Sequence, residues 1–431
     1  MKLSIITGAL MLAGYAVAVP MVLPSSFSEG NIAPLYVSDE AESLADSYIV
    51  VLKDHVNDST MAQHTMWINN MSVRTNSFVE WLNGNQDNHG VRHVYNTPTL
   101  KGYSGKFDKE VLQQIRSSDE VAYVEKDSMV YASELQRGAP WGLARISHRK
   151  ALDLRTFSKY QYEKEGGEGV KVFVIDTGIN VRHVDFEGRA AWGKTIPSGD
   201  ADEDGNGHGS HCAGTIAGKR FGVAKKAEPV AVKVLRSNGS GSMSDVVKGV
   251  DWATSEHLSM QKQAKESNKR YKGAVANMSL GGGKSPTLDN IVNGAVKAGM
   301  VFAVAAGNDN RDACNYSPAR AELAITVGAS TIGDERAYFS NYGSCVDVFA
   351  PGLNIKSIWN TNDHATNTIS GTSMASPHTA GLAAYLLSFE EGNPTPKQIK
   401  DKIISMGTRD RLANIGKDSP NILIYNGIEE D

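Results

Sequence analysis

The sequence predicts an α/β protein with a largely parallel central sheet, helices on both faces of that sheet, and a small two-layer domain in front. Two observations support this fold class. Several segments of the second half are continuously apolar over the length of one strand, which is typical of strands buried on both faces. Amphipathic stretches that suit covering helices lie between them. The first half instead carries shorter runs of mixed polarity in the order βαββαβ.

Composition bounds the possible functions. The chain has 431 residues, of which 41% are hydrophobic, enough for one large core and a smaller one. The net charge of -4 offers no basic surface for a nucleic acid, so we expect no such partner. We also expect the protein to be a monomer. Glycine accounts for 42 residues, which is above the usual share of about 7% and indicates many tight turns and close backbone approaches.

The first 18 residues are typical of a secretory signal peptide. A single lysine precedes a short apolar run, and the small residues Ala16 and Ala18 come just before a cleavage site after Ala18. A membrane anchor would need roughly 20 apolar residues, and no segment provides them. We therefore expect a secretory protein without a membrane span. Four sequons are candidates for glycosylation: Asn57, Asn70, Asn238 and Asn315.

The small domain is predicted over residues 48–133. Residues 19–47 are polar, punctuated by prolines, and interpreted as a linker. The domain itself predicts a ferredoxin-like βαββαβ order, with its first helix from about residue 61 to 82. A polar segment, "ASELQRGAP", follows and is of a kind that proteases cut. The large domain is predicted over residues 138–431.

Five apolar runs predict the strands of the large sheet: "VKVFVID", "EPVAVKVL", "GAVANMSL", "GMVFAVAAGN" and "LAITVGAS". Ligands of parallel sheets bind beyond the carboxyl ends of the strands. The residues where these runs stop are therefore the first candidates for a site, namely Asp176, residues 279–282 and Asn308.

Three residues together supply the groups for acyl transfer by a serine. Asp176 ends a strand, His208 lies among glycines in "NGHGSH", and Ser373 precedes a small, apolar, helix-like run. Singly, each has a structural explanation: a turn cap, a structural histidine and a helix N-cap. Together they offer a carboxylate, an imidazole and a hydroxyl. The Asn308 side chain and the backbone N–H of Ser373 would then stabilise the oxyanion.

The segments "DTGI", "NGHGSHCAGT" and "SGTSMASPH" resemble the three catalytic blocks of the subtilases, serine endopeptidases of the subtilisin fold. The resemblance continues through "APWGLARIS", "AVAAGN" and "YFSNYG", roughly residues 139 to 425, and is greatest to the proteinase K branch and its fungal vacuolar, cerevisin-type members. The βαββαβ segment is similar to the inhibitory propeptide of that family. The resemblance implies that Asp176 orients His208, that His208 is general base and acid, that Ser373 is the nucleophile and that Asn308 binds the oxyanion.

Two glycine-rich segments resemble the edges that hold an extended substrate by strand addition. One, residues 237–244, contains Gly239 and Gly241; the other, residues 279–283, contains Ser279, Leu280 and Gly281. The wall of the S1 pocket resembles Ala305, Ala306 and Gly307, which implies an apolar or aromatic P1 side chain. Two positions depart from the family pattern, Ser210 and Thr379, and both are conservative in volume.

Three cysteines leave one unpaired. Cys314 and Cys345 lie in polar, loop-like sequence, and a disulfide between them would contribute roughly 3–4 kcal/mol through loop closure. Cys212 would then be the free thiol, as in the proteinase K branch, and its simplest role is that of a small buried hydrophobic residue.

The resemblance implies no cofactor for the chemistry, but it suggests a structural calcium ion at Asp347 with carbonyl groups near Glu322 and Ala324. Oxygen ligands on a loop suit calcium. An aspartate that caps a turn explains Asp347 equally well. The acidic run from Asp200 imitates a calcium loop, but His211 stands where such a loop needs a glutamate, so we predict no ion there.

These observations predict a zymogen of the secretory pathway, destined for the vacuole or the outside, with the vacuole favoured by the resemblance. We expect it to remove its own propeptide between Tyr131 and Gly138, near Ser133, and to hydrolyse proteins and peptides. Two alternatives remain open. A catalytically inactive subtilase acting as a binding or inhibitory protein would normally lack a triad residue, and a thiol enzyme using Cys212 would need a neighbour on the same helix to converge on one carbonyl.

Overall fold

The structure is a computed structural model that describes residues 32–37, 43–75, 89–97, 99–128, 133–267 and 271–428. The chain divides into two units, Met1–Val130 and Tyr131–Asp431. The expected signal peptide, residues 1–18, lies outside the described residues. Among the helices of the described ranges, none has both the length and the apolar character that a bilayer crossing requires.

The smaller unit is built around a five-stranded sheet. Its elements are β1 (Leu35–Tyr36), β2 (Ser43–Leu52), α1 (Asp58–Thr75), β3 (Gly90–Thr97), β4 (Leu100–Lys106), α2 (Lys109–Arg116) and β5 (Val121–Ser128). The strand order is β1-β5-β2-β4-β3, and β2 is antiparallel to both of its neighbours. Helix α2 begins where the Asp108 side chain accepts from the Val111 N–H, and it buries Val111, Leu112 and Ile115. The predicted βαββαβ order is thus present.

Two details of this unit differ from the sequence prediction. Helix α1 begins at Asp58 rather than near residue 61, and residues 76–82 of the predicted helix lie outside the described residues. The predicted linker, residues 19–47, contains β1 and the start of β2. Strand β1 pairs with β5 in parallel, and Leu35 packs against the small core. This pairing depends on a tertiary contact, which a two-residue strand does not reveal in the sequence.

The larger unit contains the remaining strands and helices. Its strands are β6 (Ser133–Arg137), β7 (Lys159–Glu163), β8 (Lys171–Asp176), β9 (Ala191–Thr195), β10 (Glu228–Lys233), β11 (Ala274–Met278), β12 (Gly282–Gly283), β13 (Val301–Ala305), β14 (Tyr316–Ser317), β15 (Ile325–Ser330), β16 (Val348–Pro351), β17 (Ile355–Ile358), β18 (Thr366–Ile369), β19 (Thr408–Arg409) and β20 (Ile422–Leu423). Its helices are α3 (Trp141–Ile146), α4 (His208–Ala217), α5 (Met243–Glu266), α6 (Pro286–Lys297), α7 (Thr372–Phe389) and α8 (Pro396–Met406).

Nine of these strands form one sheet in the order β19-β20-β16-β15-β13-β11-β8-β10-β9. Every neighbouring pair is parallel except β19 with β20. The predicted, largely parallel sheet is therefore confirmed, and the five apolar runs are β8, β10, β11, β13 and β15.

Alternation along each strand divides the interior into two cores. Val172 and Val174 of β8 face one core, whereas Phe173 and Ile175 face the other, because successive side chains of a strand point to opposite faces. Helices α4, α7 and α8 contribute buried residues to the first core, and α5 and α6 contribute to the second. Helices therefore cover both faces of the sheet, as predicted.

This topology brings the candidate residues to one edge of the sheet. Strands β8, β11 and β13 are consecutive neighbours, and their carboxyl ends lead into Asp176, Ser279 and Asn308, respectively. Adjacent strands are about 4.8 Å apart, so these residues lie within a short span. Helices α4 and α7 begin at His208 and Thr372, which places His208 and Ser373 in the first turns of two helices that share a core.

Candidate active site

Asp176 and His208 form the most tightly defined pair of the site. The Nδ1 atom of His208 lies 2.8 Å from Oδ1 and 3.0 Å from Oδ2 of Asp176. The Asp176 side chain is fully buried, and its Oδ1 also accepts from the N–H of Thr177 at 2.7 Å. Because the Asp176 carboxylate accepts a hydrogen bond from Nδ1, the proton of the neutral imidazole lies on Nδ1, and Nε2 of His208 is the basic nitrogen.

The charge of Asp176 makes His208 a better base. Burial by itself would lower the pKa of His208, but the carboxylate of Asp176 and its hydrogen bond more than offset that effect and raise the pKa above its ordinary value. The His208 side chain keeps 25% of its surface exposed, so a substrate can reach it. The pair can therefore take up a proton and hold the resulting imidazolium.

Ser373 does not cap its helix. Gly371 occupies the N-cap of α7 and Ser373 is the second residue of the helix, so the cap explanation does not hold. The Ser373 hydroxyl donates to the backbone carbonyl of Ser279 at 3.1 Å, while the Ser279 hydroxyl donates to the carbonyl of Ser373 at 2.7 Å. Within the described ranges Ser373 makes no hydrogen bond to His208, and a hydroxyl rotor of this kind can change partner when substrate binds.

A cysteine contact shows that the helices of His208 and Ser373 meet at the site. Cys212 lies one turn after His208 in α4, and its thiol is 3.4 Å from the carbonyl of Ser373 in α7. One ligand atom each of Asp176, His208 and Cys212 lie within 4.8 Å of one another. Helix packing therefore holds the hydroxyl-bearing residue beside the Asp–His pair.

Two N–H groups converge on one space next to Ser373. The Asn308 Oδ1 atom accepts from the backbone N–H of Thr372 at 2.8 Å and from its hydroxyl at 2.9 Å, which fixes the amide and leaves Nδ2 free to donate. A Cβ placed on Gly371 would lie 3.5 Å from the backbone N of Ser373 and 3.7 Å from Nδ2 of Asn308. Glycine keeps this space open, and an oxyanion can bind there.

Asp204 is a site residue that the sequence analysis missed. Its buried carboxylate accepts from the Thr177 hydroxyl at 2.8 Å, from the Gly207 N–H at 2.8 Å and from the Ser210 hydroxyl at 2.6 Å. It thus ties the residue after Asp176 to the first turn of the helix that carries His208. The departure at Ser210 keeps the hydroxyl that this network uses, whereas the buried hydroxyl of Thr379 finds no partner among the described residues.

Asn341 is a second missed residue, and it shapes the loop that carries Asn308. Its side chain donates to the carbonyl of Ala306 at 2.9 Å and accepts from the N–H groups of Asp309 and Arg311 at 3.1 and 2.9 Å. Asn341 is fully buried within "YFSNYG". Its only signal in the sequence was its place in "YFSNYG", a segment of the family resemblance, and its partners lie some thirty positions earlier in the chain.

A cavity of about 330 Å³ opens beside Ser373. Its lining includes Ser373, Asn308, the predicted wall of Ala305, Ala306 and Gly307, and the predicted edge at Leu280 and Gly281. Ser279 lies under the cavity, hydrogen-bonded to Ser373. This volume lies within the usual range for binding pockets. A second cavity, of about 560 Å³, lies at the amino-terminal edge of the sheet and includes none of these residues.

Gly239 and Gly241 lie on an exposed loop at the carboxyl edge of the sheet, after β10. Gly239 has a φ of +81°, in a turn closed by hydrogen bonds between Arg236 and Ser240 and between Gly239 and Arg236. A side chain is strained at this φ, so glycine suits the turn. The Asn206 side chain donates to the carbonyl of Ser237 at 3.1 Å, which connects this loop to the segment before His208.

The cysteines occupy two different settings. Cys314 and Cys345 form a disulfide, and Cys212 is a buried free thiol. Burial raises the pKa of Cys212 well above its ordinary value, so the thiol stays protonated. Burial also lowers the pKa of His211 to about 3, and its Nε2 is bonded to the carbonyl of Ile355. Neither residue is prepared to act as nucleophile or base, which removes the support for a thiol enzyme.

Most of the chain is similar to known proteins. Residues 167–416 match the profile of the Subtilase family, and residues 47–133 match Peptidase inhibitor I9. Subtilisin-like serine protease Pen ch 18 of Penicillium rubens is 57% identical over 415 residues, 92% of this chain and 83% of that protein. Subtilisin-like serine protease Pen c 2 of Penicillium citrinum is 56% identical over 92% of this chain and 91% of its own. A crystal structure of a cold adapted subtilisin-like serine proteinase matches with a TM-score of 0.60 and 45% identity, covering 67% of this chain and 98% of that one.

Proposed function

The chain belongs to the subtilase family of serine proteases, and on that premise we propose that it is an endopeptidase of broad specificity with Ser373 as its nucleophile. The observation that carries the proposal is the bond between Asp176 and His208 beside Ser373 and the two convergent N–H groups. These are the parts that acyl transfer needs, and each is fixed by its own hydrogen bonds.

The proposed reaction uses these residues in two steps. The Ser373 Oγ attacks the peptide carbonyl while its proton passes to Nε2 of His208, and the negative oxygen receives hydrogen bonds from Nδ2 of Asn308 and the N–H of Ser373. His208 then protonates the leaving amine, which departs and leaves an acyl-enzyme on Ser373. A water molecule, deprotonated by the same imidazole, hydrolyses the ester and restores the serine.

Apolar or aromatic P1 side chains suit the cavity beside Ser373. The wall at Ala305 and Ala306 is small and uncharged, and the volume of about 330 Å³ admits a ring. Asp309 also lines the cavity, but it is not one of the three wall residues, Ala305, Ala306 and Gly307. Exposed glycines at 281 and 283 allow a peptide backbone to approach for strand addition, which does not depend on sequence. Broad specificity follows.

The proposal includes activation from a zymogen. Residues 48–133 would serve as folding aid and intramolecular inhibitor, and residues 138–431 as the peptidase domain. Strand β6 pairs with β7 from Ser133 opposite Glu163 to Arg137 opposite Lys159. A cut inside β6 would break this pairing, whereas autocatalytic cleavage near Ser133 leaves it with the mature enzyme.

The destination of the protein is part of the same proposal. Residues 1–18 would direct it into the secretory pathway, and the four expected glycosylation sites, Asn57, Asn70, Asn238 and Asn315, are exposed. Between the vacuole and the outside, the likeness of the catalytic blocks to cerevisin-type proteases favours the vacuole. Its partners would be protein substrates and its own propeptide, and it would act as a monomer without a nucleic acid.

Covalent labelling tests the proposal against the inactive, binding-protein alternative. A phosphonylating reagent directed at serine hydroxyls should modify Ser373 alone, as located by mass spectrometry, and abolish digestion of denatured protein. A mild alkylating agent should leave activity intact because the thiol of Cys212 is buried and protonated. A protein that digests nothing, or that is inactivated only by the alkylating agent, would contradict the proposal.

A further inference from the structure

The side chain of Lys400 in α8 ends in a cradle of oxygen atoms. Its Nζ lies 2.7 Å from the carbonyl oxygen of Ala324, 3.1 Å from that of Glu322 and 2.9 Å from the carboxylate of Asp347. Both carboxylate oxygens of Asp347 are within reach of the ammonium. The three donors of the ammonium are thereby directed at three protein groups.

These oxygens are the ones that the family resemblance suggested for calcium, but the arrangement does not fit that ion. Calcium in proteins takes 6–8 oxygen ligands at 2.3–2.6 Å. Here the Asp347 carboxylate and the two carbonyls surround a nitrogen at hydrogen-bond distances, and its positive charge already balances the carboxylate. A metal ion could enter only if the Lys400 side chain left.

We propose that the ammonium group of Lys400 is a built-in cation that takes the place of a metal ion at Asp347 and makes this site independent of calcium. The proposal concerns stability and ion binding, and it does not depend on the proposed proteolytic activity.

The setting of Asp347 distinguishes this contact from an ordinary surface ion pair. The side chains of Lys400 and Asp347 are only 16% and 22% exposed. Asp347 also exchanges two hydrogen bonds with Thr326, whose N–H donates to the carboxylate at 2.8 Å and whose carbonyl accepts from the Asp347 N–H at 2.9 Å. The carboxylate is thus held in place before any cation binds it.

Burial makes a nearby cation favourable for the Asp347 carboxylate. Desolvation raises the pKa of Asp347 even though Lys400 and the Thr326 N–H act to lower it. The ammonium group of Lys400 is held near this carboxylate because the neighbouring residues Ile399 and Ile403 anchor α8 in the large core. The cradle therefore fastens α8 to the loops that enter β15 and β16.

Removing the ammonium should turn the cradle into a metal site. Lys400→Ala leaves the carboxylate of Asp347 and two carbonyls around an open space, and such hard oxygen ligands favour calcium. Lys400→Met removes the charge but fills the space. Lys397→Ala is the matched control, because Lys397 lies on the same helix in an exposed ion pair with Asp401.

The test measures calcium binding and thermal unfolding with calcium as the only added ligand. Each variant is made in the full-length chain carrying Ser373→Ala, which excludes self-digestion without touching the cradle. Lys400→Ala should bind one more calcium ion than the parent in calorimetric titration. At saturating calcium its Tm should rise by roughly 5 °C more than that of the parent, whereas Lys397→Ala and Lys400→Met should match the parent. Adding Asp347→Asn to Lys400→Ala should abolish the extra ion.

Two results would overturn the proposal. One is that Lys400→Ala binds no additional calcium. The other needs no change at Lys400 and covers the case in which that variant fails to fold: if Asp347→Asn alone reduces the number of calcium ions bound by the parent, then calcium already occupies this site and Lys400 does not replace it.

Discussion

Asn308 and Thr372 are joined by two hydrogen bonds, one from the backbone N–H of Thr372 at 2.8 Å and one from its hydroxyl at 2.9 Å, both to Oδ1 of Asn308. Thr372 immediately precedes Ser373, so the residue beside the proposed nucleophile orients the amide that we propose binds the oxyanion. Its hydroxyl also accepts from the N–H of Gly307 at 3.1 Å.

The first prediction concerns these hydrogen bonds between Asn308 and Thr372. Asn308→Ala should lower kcat by about 10²–10³-fold, the usual cost of one oxyanion donor, with little change in KM. Thr372→Val removes one of the two bonds that orient the amide and should lower kcat by a smaller factor, about tenfold. Thr372→Ser keeps the hydroxyl and is the control. Steady-state kinetics on a peptide ester and amide would check this, and an equal loss for Thr372→Ser and Thr372→Val would refute it.

The second prediction follows from the raised pKa of His208. The imidazole must be neutral to accept the proton of Ser373, so activity should increase as the pH rises through this pKa. Because the carboxylate of Asp176 raises the pKa, the acid limb of kcat/KM should have its midpoint above the ordinary value of about 6.5. Asp176→Asn should reduce kcat by about 10⁴-fold and move the midpoint of the residual activity downward. An unchanged midpoint in Asp176→Asn would contradict this account.

The third prediction assigns a positioning role to Asp204. Asp204→Asn weakens the bonds that tie Thr177 and Ser210 to the loop before His208, and it should lower kcat by about 10–100-fold with a smaller effect on KM. Asp202→Asn, at an exposed position of the same loop, should have no effect on kcat. If Asp204 were only structural, Asp204→Asn would lower the Tm and leave kcat per folded molecule unchanged.

The fourth prediction concerns a buried ion pair between α3 and a distant turn. The Arg145 side chain is fully buried and contacts the carboxylate of Asp334 through two hydrogen bonds, of 2.6 and 3.0 Å. Arg145→Ala leaves that carboxylate buried without its partner and should reduce the free energy of unfolding by about 3–5 kcal/mol. Arg155→Ala breaks an exposed pair with Asp153 that solvent screens, so it should change the free energy of unfolding much less than Arg145→Ala does. Denaturant unfolding of the Ser373→Ala chain measures both, and equal losses would count against the prediction.

Sequence reasoning could locate the candidate site because its residues lie at or near the ends of regular elements. Asp176 ends an apolar strand, Asn308 follows another, and His208 and Ser373 lie in the first turns of helices. In a parallel sheet the carboxyl ends of the strands lie at one edge, so the sequence predicts that edge as the site. Which of these strands are neighbours is set by the tertiary fold.

The supporting residues could not be found in the same way. The bonds of Asn341 to residues 306–311 and those of Lys400 to residues 322–347 cross between segments far apart in the chain. Their role is set by which loops pack together, and neither periodicity nor a short motif reports it. Lys400 in particular looks like an ordinary surface lysine of an amphipathic helix until its cradle is seen.

The central claim is that Ser373 is the nucleophile, and one comparison tests it most directly. The wild type and Ser373→Ala are expressed side by side, and the mature N-terminus and the digestion of denatured protein are determined for both. We predict that the wild type is trimmed near Ser133 and digests protein, while Ser373→Ala stays full-length and inert. Trimmed but inactive Ser373→Ala would show that another protease performs maturation. Equal digestion by both proteins would contradict the claim.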